Sequence, residues 1–89
     1  MKPYTEQIIE RSVYVRTFSA AVDEMDLKWH WDEEDRIVEP VGETDWQFQF
    51  DNELPIKIYT KIHIPAGVIH RVIKGTGDLV VKITKINKN

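Results

Sequence analysis

Two short stretches hold the residues whose types and spacing suit chemistry: Leu27-Lys28-Trp29-His30-Trp31-Asp32 and Ile64-Pro65-Ala66-Gly67-Val68-Ile69-His70. Imidazole nitrogens and carboxylate oxygens are donors for divalent transition metals. Two histidines with one carboxylate form the set that binds Fe(II) and leaves positions open for substrate or oxygen. On a strand, His30 and Asp32 share one face, and His70 follows directly on a Pro-x-Gly turn. Cysteine is absent, which excludes a thiolate nucleophile, Cys-ligated zinc and disulfide staples. Any metal must therefore sit on His and carboxylate ligands, and no general base or nucleophile stands out.

The elements that position these groups read as β-strands. Val13, Val15 and Thr17 alternate with Tyr14, Arg16 and Phe18, and Trp46, Phe48 and Phe50 alternate with Gln47, Gln49 and Asp51. Further strands are predicted at Leu27 to Asp32, Arg36 to Glu39, Leu54 to Ile58, Ile62 to Ile64, Val68 to Ile73 and Asp78 to Ile86. Gly75-Thr76-Gly77 is predicted as the hairpin turn before the last of these. Residues 1–11 predict a short helical or irregular lead-in, and Ser19 to Asp26 a loop or brief helical turn. The pattern predicts one all-β domain over residues 1–89, a sandwich or barrel of about seven or eight short antiparallel strands.

The same alternation sets two orientations of the 27–32 strand against each other. If Leu27, Trp29 and Trp31 pack into the core, then Lys28, His30 and Asp32 face water. If His30 and Asp32 face a cavity, the tryptophans are left outside. His63 has the opposite parity to Ile62 and Ile64 and is expected outward, as is Arg71 if His70 points inward.

Composition narrows the partners. With 12 Lys and Arg against 15 Asp and Glu, the formal charge is -3, which argues against a nucleic-acid partner, since such binding rests on clustered cations. No apolar run is long enough to span a bilayer, and the first residues lack a signal-peptide core, so no membrane partner and a cytoplasmic location are expected.

With these motifs in this order, residues 27 to 86 resemble the cupins, small jelly-roll barrels of six to eight strands. Pro65-Ala66-Gly67-Val68-Ile69-His70 matches their second motif, Pro-x-Gly-x-x-His. Their first motif is His-x-His, then three or four residues, Glu, six residues and Gly. Here His30-Trp31-Asp32 takes the His-x-His place with Asp for the second His. Asp35 takes the Glu place if the hairpin is one residue shorter, and Gly42 the Gly place. Sixteen residues then separate Gly42 from Tyr59, where the second motif would open, a compact spacing typical of small cupins. Three positions depart from the pattern: Glu24 and Tyr59 stand where the motifs open on glycine, and Lys74 where Asn is frequent.

The resemblance implies a cupin-like jelly-roll barrel that holds a divalent ion through His30, Asp32 and His70, with Asp35 as a weaker fourth candidate. Fe(II) is the first expectation, and Mn, Ni or Zn are also compatible. The ion would act on a small polar substrate. Read without the deletion, Arg36 takes the Glu place and would hold a substrate carboxylate; otherwise it forms an ion pair with Asp32, Glu34 or Asp35. An inward His30 and Asp32 leave Leu27, Trp29 and Trp31 as an outer apolar face, which implies a homodimer that buries them. The alternative is a metal-free cupin serving as a small-ligand-binding or dimeric interaction module.

Overall fold

The computed structural model describes residues 2–86, which form eight strands: β1 (Thr5–Glu10), β2 (Val13–Phe18), β3 (Asp35–Pro40), β4 (Gln47–Phe50), β5 (Ile56–Lys57), β6 (Ile62–Ile64), β7 (His70–Ile73) and β8 (Leu79–Ile86). They make two antiparallel sheets, one of order β1-β2-β8-β3-β6 and one of order β5-β4-β7. The fold is nearly all-β, as expected. Among the described residues the one helical element is a 3-10 turn at Glu24–Asp26, and no helix is long and apolar enough to cross a membrane.

Period two decides which residues face inward. Directly opposed residues share a face, and the register pairs Phe18 with Leu79, Arg16 with Val81 and Val38 with Ile83. Leu79, Val81 and Ile83 are accordingly 0%, 3% and 5% exposed. The small sheet answers with Phe48, beside Trp46 just ahead of β4, and the Phe18 ring lies 5.8 Å from that of Trp46. Each such buried apolar side chain contributes about 1.5–3 kcal/mol.

The structure corrects three expectations. The lead-in is not helical or irregular, because Thr5–Glu10 forms β1 against β2. A register shift between Ile8 and Glu10 breaks the alternation, and all six side chains are exposed, so backbone pairing makes this strand with no buried face to mark it. The predicted strand at 27–32 is absent. Leu27 closes the 3-10 turn at φ -89°, ψ 72°, and the segment pairs only through an isolated bridge between His30 and His70. Gly75-Thr76-Gly77 does not close a hairpin either, since it carries the chain from β7 in the small sheet to β8 in the large one.

That crossing is tied down from another sheet-to-sheet connection, the one between β3 and β4. Asp45 Oδ1 accepts from the Thr76 N–H at 2.9 Å, and Oδ2 accepts from the Thr76 hydroxyl at 2.6 Å. Trp46 Nε1 donates to the Gly77 carbonyl at 2.7 Å. These bonds hold the sheets face to face, and between them remains a cavity of about 250 Å³ walled by β2, β3 and β8 on one side and by β4 and β7 on the other.

Candidate metal centre

His30 and His70 are brought together by backbone, not by side-chain affinity. The His30 N–H donates to the His70 carbonyl at 3.0 Å, and the His70 N–H donates to the His30 carbonyl at 2.8 Å. Residues opposed in such a pair put their side chains on one face, so the rings stand 4.3 Å apart at 62°. The path into this bridge starts at the 3-10 turn, where Asp23 accepts from Met25 N–H at 2.9 Å and caps it. This capped turn stands where the cupin motif would open on glycine.

The Pro-x-Gly turn locks onto the first stretch at Asp32. Gly67 N–H donates to the Asp32 carbonyl at 2.8 Å, and Gly67 holds φ +79°, the left-handed region that favours glycine. Asp35 completes the clamp: its Oδ1 accepts from Ala66 N–H at 2.8 Å, and its Oδ2 lies 3.7 Å from exposed His63. The weaker candidate Asp35 thus holds the turn that delivers His70, and it stands apart from the His30, Asp32 and His70 group. His63 faces outward, as its parity predicts.

One ring nitrogen of each histidine and one carboxylate oxygen of Asp32 lie within 4.8 Å of one another. The ring tautomers are set from behind. His70 Nδ1–H donates to the Val68 carbonyl at 2.9 Å and His30 Nδ1–H to the Lys28 carbonyl at 3.1 Å, which leaves each Nε2 with a free lone pair. Asp32 Oδ2 is buried without a hydrogen-bond partner among the described residues and faces His70 Nε2 at 3.4 Å. Burial pushes the His70 pKa below the usual imidazole value. The Val68 carbonyl and Asp32 act the other way, and His30 and Arg36 reinforce the lowering. Burial thus favours the neutral ring of His70. Two lone pairs facing each other across 3.4 Å in a buried site are complementary to a cation, so these residues fit a divalent ion.

Arg36 runs along the cavity wall beside this group. It reaches Asp32 Oδ1 at 3.4 Å and Glu34 Oε1 at 2.8 Å, with only 11% of its side chain exposed. The ion-pair alternative holds, with Asp32 and Glu34 as the partners, and Arg36 also lines the cavity. Arg71 lies on the opposite face, stacked 4.3 Å from the Trp29 ring and donating to Gln49 Oε1 at 3.0 Å.

Leu27 departs from the expected outer face. With no strand at 27–32 its parity is broken, and it packs against the core and lines the cavity, while Trp29 and Trp31 stay 41% and 57% exposed. Sequence reasoning did not reach the Val68 and Lys28 carbonyls, which carry no side-chain signature. It also missed Phe48 as the ring stacked on His70 at 5.4 Å and 20°; the inward parity of Phe48 was its one available signal.

Comparison with family models and with curated proteins gives no match. Solved structures give several. The chain superposes on a cupin domain from Bordetella pertussis Tohama I with a TM-score of 0.58 at 20% identity, covering 98% of each chain. On a Neisseria meningitidis protein the TM-score is 0.63 at 15% identity, covering 98% of this chain and 88% of that one. On a chain from the DMSP lyase structures it is 0.64 at 16% identity, and there it covers 84% of this chain but spans only 37% of the other. Eight antiparallel strands in two sheets, superposing on solved cupin domains, make this chain a small cupin-like protein in its fold.

Proposed function

We propose that this protein binds a divalent metal through His30, Asp32 and His70 and holds a small molecule in the adjoining cavity. The observation that carries it is Asp32 Oδ2, buried without a hydrogen-bond partner among the described residues and opposed to the free lone pair of His70 Nε2. Fe(II) is the first choice for two imidazoles and one carboxylate, and Mn, Ni and Zn are compatible with the same set. Bound there, the ion would supply Lewis acidity or an oxygen-activating centre. The chain's own part is positioning: Val68 and Lys28 carbonyls fix the imidazole tautomers, Arg36 steadies Asp32, and the mainly apolar walls shape the adjoining cavity. A cytoplasmic setting, where Fe(II) stays reduced, belongs to the same proposal. So does a homodimer through the exposed Trp29 and Trp31, now without Leu27.

The test is His70→Ala with metal content measured by elemental analysis. The variant is expected to lose the metal while keeping its β-sheet circular dichroism, and unchanged metal content would remove His70 from the site. A second reading is favoured by the mainly apolar cavity wall, which can hold a ligand with no ion present. Under it the protein is a metal-free ligand-binding or dimeric interaction module. Protein purified without a His tag that arrives metal-free and refuses Fe(II), Mn and Zn would support this second reading.

A further inference from the structure

The cavity is built asymmetrically. One part carries His30, Asp32, His70 and Arg36, while the rest of the wall is dominated by hydrocarbon, with Phe48, Ile58, Ile64, Val72, Val81 and Ile83 among its side chains. Both arginines in that wall are already engaged. Arg36 is held by Asp32 and Glu34, and Arg16 by Glu6 at 2.6 Å with its guanidinium 4.1 Å from the Tyr4 ring. A ligand lying in this space finds few polar partners away from the metal-binding group. Each hydroxyl buried there without a partner would cost roughly ten-fold or more in affinity, which tells against sugars and other polyols.

Charge and size restrict the ligand further. A divalent ion on one carboxylate and two neutral imidazoles leaves a net charge of +1. Lys28, exposed, also lines the cavity, while Asp26 in the same wall carries the opposite charge. The net charge of the loaded site favours an anionic head. A dry cavity of about 150 Å³ admits benzene, so the volume here, about 250 Å³, admits one ring or a short branched chain together with that head.

Resting on the metal-binding reading above, we infer that the ligand is a small amphipathic monoanion. Its single head, a carboxylate or similar group, reaches the His30, Asp32 and His70 site, and its apolar body lies against Phe48, Ile58, Val81 and Ile83. This narrows the small polar substrate expected from the sequence to a molecule polar at one end only.

The experiment titrates metal-free and zinc-loaded protein with phenylacetate, toluene and glucose, following the methyl resonances of Ile58, Ile64, Val81 and Ile83 by NMR. Toluene is expected to shift these methyls in both states. Phenylacetate should bind at least ten-fold more tightly once zinc is present, and glucose should shift none of them. Glucose shifts matching those of phenylacetate would overturn the inference, as would a phenylacetate affinity indifferent to bound zinc. Zinc uptake is read separately by elemental analysis. Its absence overturns the metal reading and the anionic-head half with it, whereas uptake with no toluene shift overturns the apolar-body half alone.

Discussion

Asp32→Asn separates a site shaped for a cation from an ordinary buried ion pair. In the metal-free protein, Asp32 Oδ2 and His70 Nε2 face each other at 3.4 Å as two acceptors. An asparagine amide is nearly isosteric and can donate to that Nε2, a hydrogen bond of about 0.5–1.5 kcal/mol. Against this stands the Arg36 contact at 3.4 Å, whose loss is cushioned because Arg36 keeps Glu34 at 2.8 Å and a buried carboxylate no longer has to be desolvated. The two effects are of similar size, so metal-free stability should stay within about 1 kcal/mol of the parent, or about 4–8 °C in Tm for a domain of this length. Metal affinity should fall far more. Losing only a supporting contact typically costs about 10–100-fold, and removing the one anionic ligand should exceed that. Thermal melts in chelator and zinc equilibrium dialysis measure the two quantities. A fall of about 3 kcal/mol or more in metal-free stability with zinc affinity unchanged would refute the reasoning, because that is how a structural buried pair behaves.

Other outcomes are expected. Gly75→Ala should destabilise by about 1–3 kcal/mol in urea titration, because a Cβ there would run into Asp45 Oδ1 and sit 2.7 Å from Trp46 Cδ1 and 2.8 Å from the Trp46 backbone nitrogen; an unchanged midpoint would mean the sheet crossing is looser than described. The Thr76 hydroxyl and N–H hold the Asp45 carboxyl below its ordinary value of 3.8, so the folded state favours the charged form. That contribution is present above the unfolded pKa and is lost as pH falls through the lower folded one, so Asp45→Asn should flatten the acid limb of a stability–pH profile below about pH 4. Leu79→Ala, at a side chain 0% exposed, should cost about 2–5 kcal/mol by denaturant melt. Trp31→Ser should shift sedimentation from dimer to monomer if the tryptophan face self-associates, and an unchanged mass would move the interface elsewhere.

The sequence by itself determined the alternating faces of the strands and named the candidate donors. Alternation put Trp46 and Phe48 together on one apolar face before any coordinates, because burial on one face of a strand selects apolar residues at every second position. Residue type and the Pro-x-Gly turn singled out His30, Asp32 and His70. The orientation of Trp29-His30-Trp31-Asp32 was beyond it, since a period of two names the members of each face without saying which face is inside. Tertiary structure decided that with a single bridge: backbone bonds to His70 and a clamp from Gly67 aim His30 and Asp32 at the cavity and leave the tryptophans out, with no strand at 27–32 at all. Leu27 went inward against its predicted parity for the same reason, because alternation governs side chains only where the backbone is extended and paired. Asp35 and Arg36 likewise took their places from contacts distant in sequence or running along the cavity wall, which one chain read in order does not display.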